Sequence, residues 1–250
     1  MNYSDWNIPP EQPEIPRRLT EAGYTPLLAA LLARRGLDTP EAAESFLHGG
    51  PELLGDPLLL EDMDRAAARL RLAIERRETV AVFGDYDVDG ITSACLVTSF
   101  LRAKGLDCEP YIPDRMEEGY GLNREAVTAL KEQGASLIVT VDCGISNAAE
   151  VAYAQESGAY VIVTDHHELP DILPDCVTVN PKFADDYPYD NLCGAGVAFK
   201  LATALIGDRA MELVDFAALS TVADSVPLLG ENRDIVAEGL RRMEKHPRPA

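Results

Sequence analysis

The 250-residue chain has no apolar run near the roughly 20 residues that crossing a bilayer requires, so no membrane association is expected. Its start, MNYSDWNIPPEQPEIPRRL, lacks the charged-then-apolar layout of a secretory leader, and a cytoplasmic location is the expectation. Cysteine is scarce. Cys95, Cys108, Cys143, Cys176 and Cys193 are odd in number and form no C-x-x-C pair, which excludes a disulfide framework and a zinc knuckle. Reduced, mostly buried thiols are expected. Basic charge is also short, with 22 Lys and Arg against 42 Asp and Glu and a net charge of −20. That balance excludes the broadly basic surface of a non-specific nucleic-acid binder. An acidic surface can serve solubility alone. It can also reflect carboxylates that bound divalent cations neutralise. No internal repeat or low-complexity segment is present.

What remains is ordinary for a globular protein: 46% apolar and 26% charged residues, enough for one sizeable domain and a small appendage. Residues 1–20, rich in proline and polar groups, read as extended. TPLLAALLARR (25–35) and PEAAESFLH (40–48) read as short helices, and 49–60 as a loop. The expected division is a lead-in over 1–58 and a catalytic domain over 59–250. EDMDRAAARLRLAIERRE (61–78) has the spacing of an amphipathic helix. Five short β-branched runs follow: TVAVF (79–83), CEPYI (108–112), SLIVTV (136–141), YVIVT (160–164) and CVTVN (176–180). Helical stretches at 90–104, 123–133 and 146–157 separate most of them, and 194–206, 209–224 and 231–245 form a closing run of helices. The predicted fold is α/β, a mostly parallel five-stranded sheet with helices on both faces.

Three of these strands end in acid. TVAVF runs into Asp85, Asp87 and Asp89, SLIVTV into Asp142, and YVIVT into Asp165-His166-His167. Ligands of open parallel sheets bind at the carboxyl ends of the strands, so one rim gathers five aspartates and two histidines. Each piece alone has a plainer reading. D-x-D-x-D-G resembles half of an EF-hand loop but lacks the closing glutamate. A single strand-end aspartate is usually a cap or turn former, and adjacent histidines can be a surface accident. Together they point to a metal site, because clustered carboxylates repel unless a cation lies among them. Oxygen donors with one or two imidazoles suit Mn²⁺ or Mg²⁺ better than zinc. Several aspartates can hold two ions about 4 Å apart, the arrangement that clamps both oxygens of an in-line phosphoryl displacement.

The combination VFGDYDVDGITS, VTVDCG, VTDHH and STVADSVPL resembles the four ordered motifs of the DHH phosphoesterase superfamily. YIPDRMEEGYGLN (111–123) and NLCGAGVAFKLA (191–202) resemble its bacterial RecJ-type branch. The resemblance covers roughly residues 60–230. It implies a Mn²⁺- or Mg²⁺-dependent exonuclease that degrades single-stranded DNA from the 5′ end in recombination and repair, with helicase or single-strand-binding protein partners. It also implies Asp87 and Asp89 as metal ligands, Asp142 as the ligand bridging two ions, and His166 and Asp224 completing the second site. Asp85, in the same loop, becomes either a support for the ligands around it or an auxiliary ligand. His167 is expected to face the scissile phosphate as a catalytic group beside Asp142. Small-molecule pyrophosphatases of the superfamily have a histidine four residues before the equivalent of Asp87. Phe83 stands there in this chain, so one ion is expected to depend more on water.

Arg115 is implied as a phosphate contact, or is a surface partner of Glu117 or Glu118. Gly194 and Gly196 open a helix whose N–H groups could meet a phosphate, or they serve close helix contact. Phe199 occupies the third glycine position of a dinucleotide fingerprint and excludes that motif. Lys200 reads equally as a phosphate contact or a snorkelling lysine. Tyr86 and Tyr120 read as packing residues rather than base-stacking ones. A superfamily enzyme for short oligoribonucleotides, cyclic dinucleotides or pyrophosphate has the same metal ligands and is the alternative reading. A non-catalytic subunit of a replication assembly is a further one, against which every ligand named above is retained. No G-G-H-type motif of the superfamily's usual second domain is found, and that domain is expected to be absent.

Overall fold

A computed structural model describes residues 14–183 and 187–248. They fall into two compact units, one ending at Gly49 and the other beginning at Gly50. The first contains helices α1 (Glu14–Glu21), α2 (Pro26–Arg34) and α3 (Pro40–His48). Thr25 and Thr39 cap α2 and α3 by accepting the N–H groups of Leu28 and Ala42, and a proline follows each cap where no N–H is needed. Leu19, Ala29, Leu32 and Ala43 form this unit's small core. Helix α1 corrects the extended reading of residues 1–20 over Glu14–Glu21. Pro16 falls in the first turn, where proline costs no hydrogen bond, and Leu19 gains burial from the helix. Residues 1–13 lie outside the described residues.

The second unit is built on five strands: β1 (Val80–Gly84), β2 (Cys108–Tyr111), β3 (Leu137–Val141), β4 (Tyr160–Thr164) and β5 (Val177–Val179). All pairings are parallel, in the order β2-β1-β3-β4-β5. Its α-helices are α4 (Met63–Arg76), α5 (Val88–Ala103), α6 (Arg124–Glu132), α7 (Ala148–Glu156), α8 (Gly194–Ile206), α9 (Val214–Ala223) and α10 (Gly230–Lys245). The stretch predicted as one helix from residue 209 begins as a 3₁₀ segment, Gly207–Leu213, and becomes α-helical at Val214.

Strand periodicity explains the two covered faces. Val80, Val82, Leu137, Val139, Ile162 and Val177 join one core with Leu70 of α4, Val97 of α5, Phe199 of α8 and Val214 of α9. The alternating residues Ala81, Phe83, Ile138, Val161 and Val163 join another with Leu130 of α6 and Val151 of α7. Full burial of each such Val, Leu, Ile or Phe side chain contributes about 1.5–3 kcal/mol, so strands apolar on both faces commit to a sheet interior.

The strand order creates the crevice. From β1 the chain moves outward to β2, then crosses back over β1 to β3, so the connections diverge between the carboxyl ends of β1 and β3. Register then sets the height of every side chain there. Gly84 lies opposite Val141, Val141 opposite Thr164, and Thr164 opposite Val179. The residues that follow are Asp85, Asp142, Asp165 and Asn180, one row along the rim. The ladder continues into it, with Asp142 N–H donating to Thr164 O and Asp165 N–H to Val179 O, both at 3.0 Å.

The turn from β1 into α5 is tight. A Cβ on Gly90 would lie 2.4 Å from both the N and O of Asp85, contacts with backbone that cannot swing away. Gly90→Ala is therefore expected to cost about 3 kcal/mol by overpacking. Urea denaturation measures this, and a change under about 0.5 kcal/mol, the level of an ordinary surface substitution, would contradict it.

Candidate metal centre

Each acid of the rim is held differently. Asp85 is buried, and its Oδ1 accepts the N–H of Tyr86 at 2.7 Å. Asp87 caps α5 by accepting the N–H of Gly90 at 3.0 Å while remaining exposed. Asp89, in the first turn of α5, reaches the start of α8. Its Oδ2 accepts Gly194 N–H at 2.6 Å, and its Oδ1 accepts Ala195 N–H at 2.7 Å and the Ser220 hydroxyl. The partial positive charge of a helix N-terminus favours that carboxylate as an anion. Asp142 sits at φ +60°, a left-handed conformation that a short Asp tolerates better than most residues. Asp224 ends α9, where the helix dipole disfavours a negative charge.

His166 draws these groups together. Its Nε2 lies 3.1 Å from Asp142 Oδ1, 3.6 Å from Asp89 Oδ2 and 3.9 Å from Asp224 Oδ2. Three sets each offer ligand atoms within 4.8 Å of one another: Asp85, Asp87 and Asp142; Asp89, His166 and Asp224; and Asp142, His166 and His167. The expected ligands Asp85, Asp87, Asp89, Asp142, His166 and Asp224 thus share one crevice, and Asp142 belongs to two of the sets.

The electrostatics call for a cation. Burial, then the charges of Asp89 and Asp87, push the Asp142 carboxyl up to about 10. Burial raises Asp85 as well, with Asp87 adding to it, and burial followed by Asp89 raises Asp224. Asp142 Oδ1 is buried without a hydrogen-bond partner, since His166 Nε2 is near but not aligned to donate. An orphaned buried carboxylate oxygen facing further acids fits a divalent cation. The thiols do not compete as ligands. Burial drives Cys108 to about 11 and raises Cys143 and Cys193 further, which keeps them protonated. Oxygen and imidazole donors remain, a set suited to Mn²⁺ or Mg²⁺.

Around this cluster stand groups suited to a substrate. His167 is half-exposed, and its Nδ1 lies 2.7 Å from Asp165 Oδ1. The Asp165 hydrogen bond outweighs burial and raises the His167 pKa. Burial alone would raise Asp165, yet its bonds to His167 bring it below the usual carboxylate range. Arg115 lies over the Tyr86 ring at 5.1 Å, and no ion pair joins it to Glu117 or Glu118 among the described residues. Tyr120, read from sequence as a packing residue, is exposed and sets its hydroxyl 3.3 Å from His167 Nδ1.

The matching family model is the DHH family, N-terminal domain, over residues 79–223. This chain belongs to the DHH family. Among relatives, it is 44% identical over 96% of its length to the single-stranded-DNA-specific exonuclease RecJ of Bacillus subtilis (strain 168), covering 31% of that protein. It is 42% identical over 82% of its length to RecJ of Thermus thermophilus, covering 32%. The chain therefore spans about a third of the length of these relatives. Its fold superposes on exonuclease RecJ bound to manganese with a TM-score of 0.69 and 41% identity, covering 74% of this chain and 49% of that one. RecJ from Thermus thermophilus in complex with Mn²⁺ gives 0.79 and 34%, covering 94% and 34%.

Two expectations for this DHH chain require correction. The N–H groups at the start of α8 do not face a phosphate: Gly194 and Ala195 donate to Asp89, and Gly196 to the Cys193 sulfur. Gly194 instead makes room, since a Cβ there would stand 2.5 Å from Asp142 Cβ. Lys200 is not at the rim either. It is 1% exposed, pairs with the buried Glu231 and donates to Gly55 O at 2.8 Å. Glu231 also receives Gly55 N–H and the Tyr187 hydroxyl, so the lysine closes a structural network. Two contributors were missed from sequence, Asn180, which donates to His167 O at 3.0 Å, and Ser220, which donates to Asp89, while Asp165 was placed at the rim without its role toward His167. Register identifies Asn180 as it does Asp165, because both continue strands whose neighbours end in candidate ligands. Ser220 opens the motif STVADSVPL, but nothing in the sequence points it at Asp89.

Two measurements follow. Asp85, Asp142 and Asp224 have folded pKa values above the unfolded value of about 4. Their contribution to metal-free stability is full below that value and falls as pH rises toward about 10, the Asp142 value. Mn²⁺ held by Asp142 would displace its proton, so the stabilising increment is expected to grow with pH. At 100-fold excess over Kd it is about 2.7 kcal/mol per site, read as a Tm rise of roughly 5–10 °C. Thermal scans at pH 5.5 and 8.5, with EDTA or Mn²⁺, check this; equal increments would contradict it. Lys200→Met strands the Glu231 charge and is expected to cost about 3–5 kcal/mol while leaving the Mn²⁺ increment unchanged. Loss of that increment would return Lys200 to the site.

Proposed function

We propose that the chain is the catalytic portion of a RecJ-type nuclease, a Mn²⁺- or Mg²⁺-dependent phosphodiesterase that removes nucleotides from the 5′ end of single-stranded DNA. The observation behind this reading is Asp142, whose buried carboxylate is common to two ligand sets. The names of the relatives support single-stranded DNA as substrate, and their metal complexes support Mn²⁺ and Mg²⁺. With this reading go a role in recombination and repair, helicase or single-strand-binding protein partners, and a cytoplasmic location.

Asp85, Asp87 and Asp142 would hold one ion, and Asp142, Asp89, His166 and Asp224 the other. Bound there, the ions supply Lewis-acid stabilisation of phosphoryl charge and lower the pKa of water. The protein's own groups supply the rest. His167 stands beside the ligand cluster with a raised pKa, which suits it to protonate the departing oxygen at neutral pH. Arg115 offers a planar guanidinium for a non-reacting phosphate, held in place by the Tyr86 ring. The net charge of −20 makes these few positive groups and the ions the main attraction for a polyanion.

Mn²⁺-stimulated cleavage of 5′-labelled single-stranded oligonucleotides, duplexes and dinucleotides tests the proposal. Release of nucleotides from long single strands is expected. Asp142→Asn is expected to lose several kcal/mol of charge stabilisation, a rate loss of about 10³-fold. Cleavage of dinucleotides alone would replace the exonuclease reading with that of a small-substrate phosphodiesterase. No Mn²⁺-stimulated hydrolysis would favour a non-catalytic subunit.

A further inference from the structure

Asp165 is the most enclosed acid of the rim, with 0% of its surface exposed. It belongs to none of the ligand sets. All its donors come from the protein: Oδ2 accepts Ile145 N–H at 3.0 Å, while Oδ1 accepts the N–H groups of His166 at 2.7 Å and His167 at 3.1 Å and faces His167 Nδ1 at 2.7 Å. A carboxylate has only lone pairs to offer at 2.7 Å, so Nδ1 must bear a proton; two facing lone pairs would repel. Nε2 is then the nitrogen left for the crevice. Asn180 holds the His167 backbone through its carbonyl, which limits the ring's freedom to swing away.

The assignment resolves a competition. Tyr120 places its hydroxyl 3.3 Å from the same Nδ1. A nitrogen whose hydrogen is directed at Asp165 cannot accept from Tyr120, so the phenol proton stays uncommitted at the mouth of the site. Without Asp165, Nδ1 would accept from Tyr120, the neutral ring's hydrogen would move to Nε2, the ring would lose the partner that fixes its orientation, and the phenol proton would be spent on the imidazole instead of the substrate.

We propose that Asp165 is a positioning residue: it fixes the tautomer and orientation of His167, presenting Nε2 to the substrate phosphate and keeping the Tyr120 hydroxyl free to donate to it. The proposal rests on the nuclease reading only for what Nε2 and Tyr120 act upon. The tautomer itself is a property of the metal-free protein.

The test uses the intact chain labelled with ¹⁵N-histidine. Long-range ¹H–¹⁵N spectra of the metal-free protein, with His167 assigned by its alanine variant, are expected to show the proton on Nδ1 when the ring is neutral. In Asp165→Ala it should move to Nε2. Mn²⁺ affinity, followed by electron paramagnetic resonance, should change far less than turnover, because Asp165 reaches His166 only through its backbone N–H and leaves the ring nitrogens of His166 alone. Turnover should fall about 10²-fold with KM nearly constant, and not further when Asp165→Ala is added to His167→Ala. A wild-type proton on Nε2, a collapse of Mn²⁺ affinity, or an equal loss in the His167→Ala background would overturn the proposal. If Asp165→Ala does not fold, the wild-type tautomer decides alone. If the wild-type protein cleaves no single-stranded DNA, the nuclease reading fails while the spectra still judge Asp165.

Discussion

The register of a parallel hydrogen-bond ladder is the constraint on which the rest of this protein depends. Because Gly84, Val141, Thr164 and Val179 lie side by side, the residues after them emerge at one height. Three of those four are aspartates and the other is an asparagine. A slip of one residue in any strand would turn its apolar side chains toward the wrong core and move its rim residue out of line. The hydrophobic pattern that holds the sheet together therefore also holds the candidate metal ligands together.

Gathering so many acids works against the fold, and the protein divides that burden by placement. Asp89 is bonded to the N–H groups that open α8, so its charge is stabilised without any ion. Asp224 lies at the opposite kind of helix end, and Asp142 has a buried oxygen with no donor. Asp89 is thus prepared in advance, while Asp142 keeps a buried oxygen that a cation would satisfy. The site is organised by helix termini and sheet edge before metal arrives, and metal relieves what they leave unresolved.

Most of the architecture was legible because strand and helix periods differ and the strands are apolar on both faces. The candidate ligands were legible because each follows such a strand or, for Asp224, closes a helix before Pro227. What sequence could not show was direction. Gly194 and Gly196 open a helix as expected, but the identity of the anion there, Asp89 from 105 residues earlier, depends on tertiary placement. Lys200 sits on α8 where either face was open, and only the structure shows it turned inward to Glu231. Tyr120 looked like a packing residue until its loop brought it against His167. Helix α1 was hidden by Pro16, since proline is costly within a helix and harmless in its first turn. Asp165 was visible as a residue, but its task follows from the histidine it faces.

The central claim is that Asp142 sits between two ion sites in one crevice. Low-temperature electron paramagnetic resonance of the protein titrated with Mn²⁺ tests it most directly. The account predicts two Mn²⁺ per chain with spin-coupled spectra, and loss of the coupling in Asp142→Asn. A single ion, or two that remain magnetically independent in the wild-type protein, would contradict it.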